Sequence, residues 1–162
     1  MNDNLQVRQV NYDAAGDRDA LVELLDLYAR DPMGGGEGLA DEVKARLCDD
    51  LAAMPGAVSF IAWSGDKPLG LLNAMPGYST FKARPLMNIH DIAVRAECRG
   101  RGVGQALLEA LEKHARARGC CKLTLEVLSG NAVATRSYLR FGFEQYALDP
   151  AAGYAMFMQK WL

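Results

Sequence analysis

No stretch of this sequence stays apolar for the roughly 20 residues that a membrane-spanning helix needs. Positive charge is not in excess either: 18 lysines and arginines face 20 aspartates and glutamates, a net charge of −2. That balance argues against a general nucleic-acid binder, which carries a basic patch or stripe. The N-terminal residues lack the charged-then-apolar pattern of a secretory signal, so a cytoplasmic protein is expected. Histidine is scarce, with two in 162 residues, and the four cysteines, Cys48, Cys98, Cys120 and Cys121, show no C-x-x-C spacing. A metal site is therefore not expected. Adjacent Cys120 and Cys121 are poorly placed to bridge each other, and all four read as reduced thiols. Repeats and low-complexity linkers are lacking too, and the length fits a single domain over 1–162.

What is present is an ordinary globular balance. Half of the residues are hydrophobic, enough to bury a real core. Residues 5–10 alternate weakly, as a first strand. Leu21, Leu24, Leu25 and Tyr28 recur at helical spacing, and Val43, Leu47, Leu51 and Met54 repeat the pattern. A glycine-rich stretch, 33–38, separates the two as a mobile loop. Residues 58–63 and 69–75 form an expected hairpin across Ser64-Gly65-Asp66-Lys67-Pro68, and 86–94 reads as a further strand. The clearest helix spans 103–118, with Val103, Leu107, Leu108, Leu111 and Ala115 as one apolar stripe. His114 is assigned to its polar, solvated side. A strand over 122–128, a short helix over 131–141 and two aromatic-rich strands, 143–148 and 154–161, complete a mixed α/β order of β-α-α-β-β-β-α-β-α-β-β.

The informative segment is 94–105. A strand ends at Val94, a short loop carries Gly100, Gly102 and Gly104, and a strong helix follows. Glycines let backbone approach a ligand closely. The first amides of a helix lack intrahelical acceptors and, with the helix dipole, attract anions. A diphosphate suits such a site, and Arg99 and Arg101 add positive charge. The spacing is neither the Rossmann G-x-G-x-x-G nor a Walker loop.

Here the chain resembles the GNAT (Gcn5-related) N-acetyltransferases. Arg99-Gly100-Arg101-Gly102-Val103-Gly104 matches the signature Arg/Gln-x-x-Gly-x-Gly/Ala. Downstream, Asn131, Ala134, Tyr138 and Phe141-Gly142-Phe143 match a second motif, Asn-x-x-Ala-x-x-x-Tyr-x-x-x-Gly-Phe. The resemblance implies the GNAT fold: a mixed, mostly antiparallel sheet flanked by helices, with a splayed strand pair that holds CoA. It implies acetyl-CoA as cofactor and acetyl transfer to a primary amine of a small molecule by direct attack. It also implies that Arg99, Gly100, Arg101, Gly102, Val103, Gly104 and Gln105 hold the pyrophosphate. The backbone of Ile92, Ala93 and Val94 would pair with the pantetheine arm, and Asn131 would bond the cofactor. Tyr138 matches the tyrosine that protonates the leaving thiolate, and a homodimer fits the family.

For the base, strand alternation groups Asn88, His90, Ile92 and Val94 on one side. Met87, Ile89, Asp91 and Ala93 fall on the other. His90 leads, since histidine titrates near neutrality. Asp91 is second, because its face reads as apolar core. Tyr78 and Phe81 are candidates to line the acceptor pocket, and Glu126, placed on the strand after the long helix, to hold the substrate cation. The run from Tyr78 to Pro85 also resembles the diamine acetyltransferase branch, although His90 stands where that branch has its first acid. Glu37, Asp41, Glu42, Asp49 and Asp50 would favour a cationic acceptor. Rival readings are a protein lysine or N-terminal acetyltransferase and a non-catalytic acyl-CoA-binding module.

Overall fold

The computed structural model describes residues 4–146 and 149–162. These divide into two compact units, Met1–Leu125 and Glu126–Leu162. The first contains a five-stranded sheet with strands in chain order: β1 (Leu5–Gln9), β2 (Val58–Ser64), β3 (Lys67–Ser79), β4 (Arg84–Val94) and β5 (Leu123–Leu125). The first three pairings are antiparallel and β4–β5 is parallel. A parallel neighbour needs a crossover, and helix α3 (Val103–Ala117) supplies it. Helices α1 (Ala15–Arg30) and α2 (Asp41–Ala53) lie between β1 and β2 in the chain.

The sheet is buried on both faces, which explains why β2 reads as a nearly unbroken buried run. On one face Leu21 and Leu24 of α1 and Cys48 and Leu51 of α2 pack with Ile61, Trp63 and Leu71. On the other lies the expected stripe of α3, with Val103, Leu107, Leu108, Leu111 and Ala115 all buried. Gly70 sets how closely α3 seats. A β-carbon there would lie 2.8 Å from the Ala93 carbonyl oxygen and 3.2 Å from Val103 Cγ1.

His114 is half-buried beside this layer rather than on the solvated side. Its ring meets Phe60 edge-on at 5.8 Å, and its buried Nε2 has no hydrogen-bond partner among the described residues. The spacing held the signal, since His114 follows Leu107 by seven and Leu111 by three. Burial, aided by the charge of Arg118, pushes its pKa below the ordinary value. A histidine held neutral in the fold binds its proton more readily when unfolded. Stability is therefore fully present above the unfolded pKa, near 6.5, and declines as pH falls through it toward the lower folded value. Urea midpoints compared at about pH 7.5 and about pH 5 should fall in the parent and fall less in His114→Leu. Equal declines would show that His114 does not carry the effect.

The second unit contains α4 (Ala132–Phe141) and a 3-10 turn (Pro150–Ala152). The expected strands over 143–148 and 154–161 are not formed among the described residues. Ala147 and Leu148, part of the first, lie outside those residues. The expected strand over 122–128 is shortened to Leu123–Leu125. Aromatic and apolar composition favours strands only where a neighbouring strand accepts the ladder. Tyr154, Met156, Phe157, Met158 and Trp161 are instead exposed.

Candidate functional site

β4 bonds β3 along its length, but its ladder with β5 covers only Met87–Leu123, Asn88–Thr124 and Ile89–Leu125. Past Ile89, β4 continues to Val94 with no ladder on that edge among the described residues. Ile92, Ala93 and Val94 thus lie on an edge where a ligand can take up strand-like hydrogen bonds. The Val94 carbonyl is already engaged, accepting from Arg99 Nε at 3.1 Å.

A 3-10 turn (Ala96–Cys98) follows, with Cys98 buried beneath it. Gly100 and Gly102 then adopt φ of +75° and +85°. A β-carbon at either would meet no protein atom within 4 Å, so backbone conformation rather than crowding demands glycine. Gly102 caps α3 in the left-handed region, with no side chain capping the helix. The ladder begins where the Ala106 N–H donates to the Gly102 carbonyl at 3.0 Å. The Val103 and Gly104 amides precede it and point out of the helix end. A β-carbon on Gly104 would touch only Val94 Cγ2, at 3.8 Å. Open space beside two left-handed glycines, with helix amides ahead of it, fits a diphosphate. Arg101 is exposed at this loop. Arg99 donates from its guanidinium to Asp31 at 2.8 Å, tying the loop to the end of α1. That bond, with the Met33 N–H, holds the Asp31 carboxyl below the usual carboxylate range.

The base candidates sit at an irregularity. Asn73 pairs with Asp91 and Ala74 with Ile89, so His90 is the extra residue of a β-bulge. The bulge overturns the expected alternation. Asp91 and Ala93 share the face of Asn73 and Leu71, against α1 and α2. Met87, Ile89, Ile92 and Val94 share the α3 face, by their pairing with Pro76, Ala74, Leu72 and Gly70. Asp91 is therefore not in an apolar row. It accepts from Asn73 Nδ2 at 2.9 Å, and Asn73 Oδ1 accepts from the Ser59 hydroxyl at 2.6 Å. Ser59 Oγ lies 2.8 Å from the Tyr12 hydroxyl. Nearby on α1, burial and the charges of Asp91 and Asp31 raise the pKa of the Tyr28 phenol. His90 itself is exposed. Sequence reasoning missed Asn73, Ser59 and Tyr12, which no motif marks; among the described residues Ser59 and Asn73 are the buried polar ones.

The remaining candidates are scattered. Tyr78, near the end of β3, and Phe81, in the turn after it, are exposed. Glu126 lies past the end of β5 rather than on the strand and is exposed. Two of the acids on α2 are neutralised locally, Asp49 by Arg18 and Asp50 by Arg46. In the second unit Asn131 caps α4, its Oδ1 accepting the Ala134 N–H at 3.1 Å. Tyr138 lies two turns further on, half-buried, its ring edge-on to Phe143 at 5.8 Å. Gly142, with φ of +107°, ends the helix and turns Phe143 back toward that ring.

A family model described as the Acetyltransferase (GNAT) family matches residues 21–143. Streptothricin acetyltransferase of Streptomyces lavendulae is 38% identical over 93 residues, covering 57% of this chain and 48% of that protein. The L-methionine sulfoximine/L-methionine sulfone acetyltransferase of Pseudomonas aeruginosa is 39% identical over 64 residues, 40% of this chain and 37% of the relative. The chain thus spans less than half the length of these curated relatives. Among solved structures, AAC(6')-Iy in complex with the bisubstrate analog CoA-S-monomethyl-acetylneamine matches in fold, with a TM-score of 0.78. Its identity is 19%, over 98% of this chain and 99% of that one. The family match takes in both base candidates, the whole glycine loop and α4 with Tyr138, and by it this chain belongs to the GNAT acetyltransferase family.

Proposed function

We propose that the protein is an acetyl-CoA-dependent N-acetyltransferase acting on a primary amine of a small molecule. The observation that carries this reading is the pair of left-handed glycines opening an uncapped helix at the end of a strand with one free edge. The family match supports it, as do relatives named for acetylating streptothricin and methionine sulfone and a neighbour bound to a CoA conjugate of an aminoglycoside fragment.

When bound, acetyl-CoA supplies an acetyl thioester. The amides of Gly100 to Gly104, with Arg101, would hold its diphosphate, and the edge at Ile92 and Ala93 its pantetheine arm. Asn131, whose Oδ1 caps α4, has Nδ2 to offer. The chain's own groups move protons. Of three ammonium protons, the amide keeps one and His90 or Asp91 takes one. Tyr138 Oη gives a proton to the departing sulfur and recovers the third from nitrogen, as the C–N bond forms and the C–S bond breaks. Tyr78, Phe81 and Glu126 are assigned to the acceptor. A cytoplasmic homodimer completes the reading; no described helix is long and apolar enough to cross a membrane.

The test is release of CoA thiol from acetyl-CoA against neamine, streptothricin, L-methionine sulfone, spermidine and a lysine peptide. Release that depends on a small amine supports the proposal. Release with the peptide alone would transfer the activity to protein substrates, and binding of acetyl-CoA without any release would leave a binding module.

A further inference from the structure

Ser59, Asn73 and Asp91 occupy one cross-strand row, Ser59 opposite Asn73 on β2 and β3, and Asn73 opposite Asp91 on β3 and β4. Ser59 and Asn73 are 1% and 2% exposed, so water does not satisfy them. Buried polar side chains are costly unless their partners are fixed. The bonds also have a direction. Asn73 can give only N–H to a carboxylate, which leaves its oxygen to accept from Ser59. The single Ser59 proton is then committed, so Tyr12 must donate to Ser59. Burial raises the pKa of Tyr12, keeping that phenol protonated and able to donate. The three hydrogen bonds of the row all run toward Asp91.

We infer that Tyr12, Ser59 and Asn73 are positioning residues that hold Asp91 as an oriented carboxylate, and that Asp91, rather than His90, takes the proton of the acceptor ammonium. The bulge at His90 is what turns Asp91 onto the row. One carboxylate oxygen accepts the end of this chain, and the other is left for a cation. In the step, one N–H bond of the ammonium breaks, its electron pair stays on nitrogen, and the proton passes to the carboxylate.

This inference rests on the acetyltransferase reading, and one experiment separates the two. Steady-state rates are measured with acetyl-CoA and neamine, L-methionine sulfone and spermidine, for the parent, Asp91→Asn, Asn73→Leu, Ser59→Ala, Tyr12→Phe and His90→Gln. Asp91→Asn should lose at least about a hundredfold in kcat. Asn73→Leu should lose about tenfold in kcat/KM for the amine, with KM for acetyl-CoA unchanged. Should Asn73→Leu fail to fold, Tyr12→Phe and Ser59→Ala carry the same test with smaller losses in the same direction. An active parent matched by its Asn73, Ser59 and Tyr12 variants, or one crippled by His90→Gln but not by Asp91→Asn, overturns the inference alone. A parent silent with every amine overturns the acetyltransferase reading and this inference together.

Discussion

Replacing Gly102 by valine should raise the dissociation constant for CoA about a hundredfold while lowering Tm by only a few degrees. Gly102 holds φ of +85° and ψ of −4° at the start of α3. For a side chain that conformation costs about 1–2 kcal/mol, and more when the side chain is β-branched. No protein atom lies within 4 Å of the added β-carbon, so the chain relieves the strain by re-forming the loop, not by unpacking α3. The amides of 100–104 then no longer converge. Gly104→Ala provides the contrast. Its β-carbon would make one ordinary contact, with Val94, and alanine gains about 0.5–1 kcal/mol over glycine within a helix. Tm should rise slightly, and any loss of CoA affinity would then report a clash with the ligand itself. Isothermal titration with CoA, beside thermal melts, reads both variants. Unchanged CoA affinity in Gly102→Val would remove the diphosphate from this loop.

Tyr138→Phe should lower kcat by at least about a hundredfold with CoA affinity unchanged. The variant loses one hydroxyl. Its ring can keep the edge-on contact with Phe143, and the helix retains its Asn131 cap and the turn at Gly142. The effect should sit in turnover, as expected for a proton supplied only when the thiolate leaves. Full turnover in the variant would mean that water or another group protonates the sulfur. Loss of CoA affinity matching the loss of rate would mean that Tyr138 holds the cofactor instead.

Legibility in the sequence followed the reach of the forces involved. The stripe on α3 and the hairpin of β2 and β3 are local patterns, and both appear as expected. The glycine loop was legible because its spacing and the strong helix after it are contiguous in the chain. The extent of β5 depends on where β4 stops offering a partner, which residues 126–128 cannot signal. The strands expected near the C-terminus rested on composition without a pairing partner. The place of His114 is written in its spacing of seven from Leu107, while its polar residue type points the other way. The bulge was the costliest omission. Asn73 and Ser59 stand within apolar runs, and their purpose emerges only when three strands are aligned.

The bulge also sets which kind of genetic change can reassign the acid. Substitutions at His90 alter one exposed side chain and leave the pleat as it is. Deleting that single residue would leave Ile89 and Asp91 consecutive, still opposite Ala74 and Asn73, so the acid would keep its face. A strand that kept His90 in the regular ladder would instead put the histidine opposite Asn73 and turn Asp91 toward the α3 layer. In this strand the placement of the acid is encoded by one unpaired residue as much as by the acid itself.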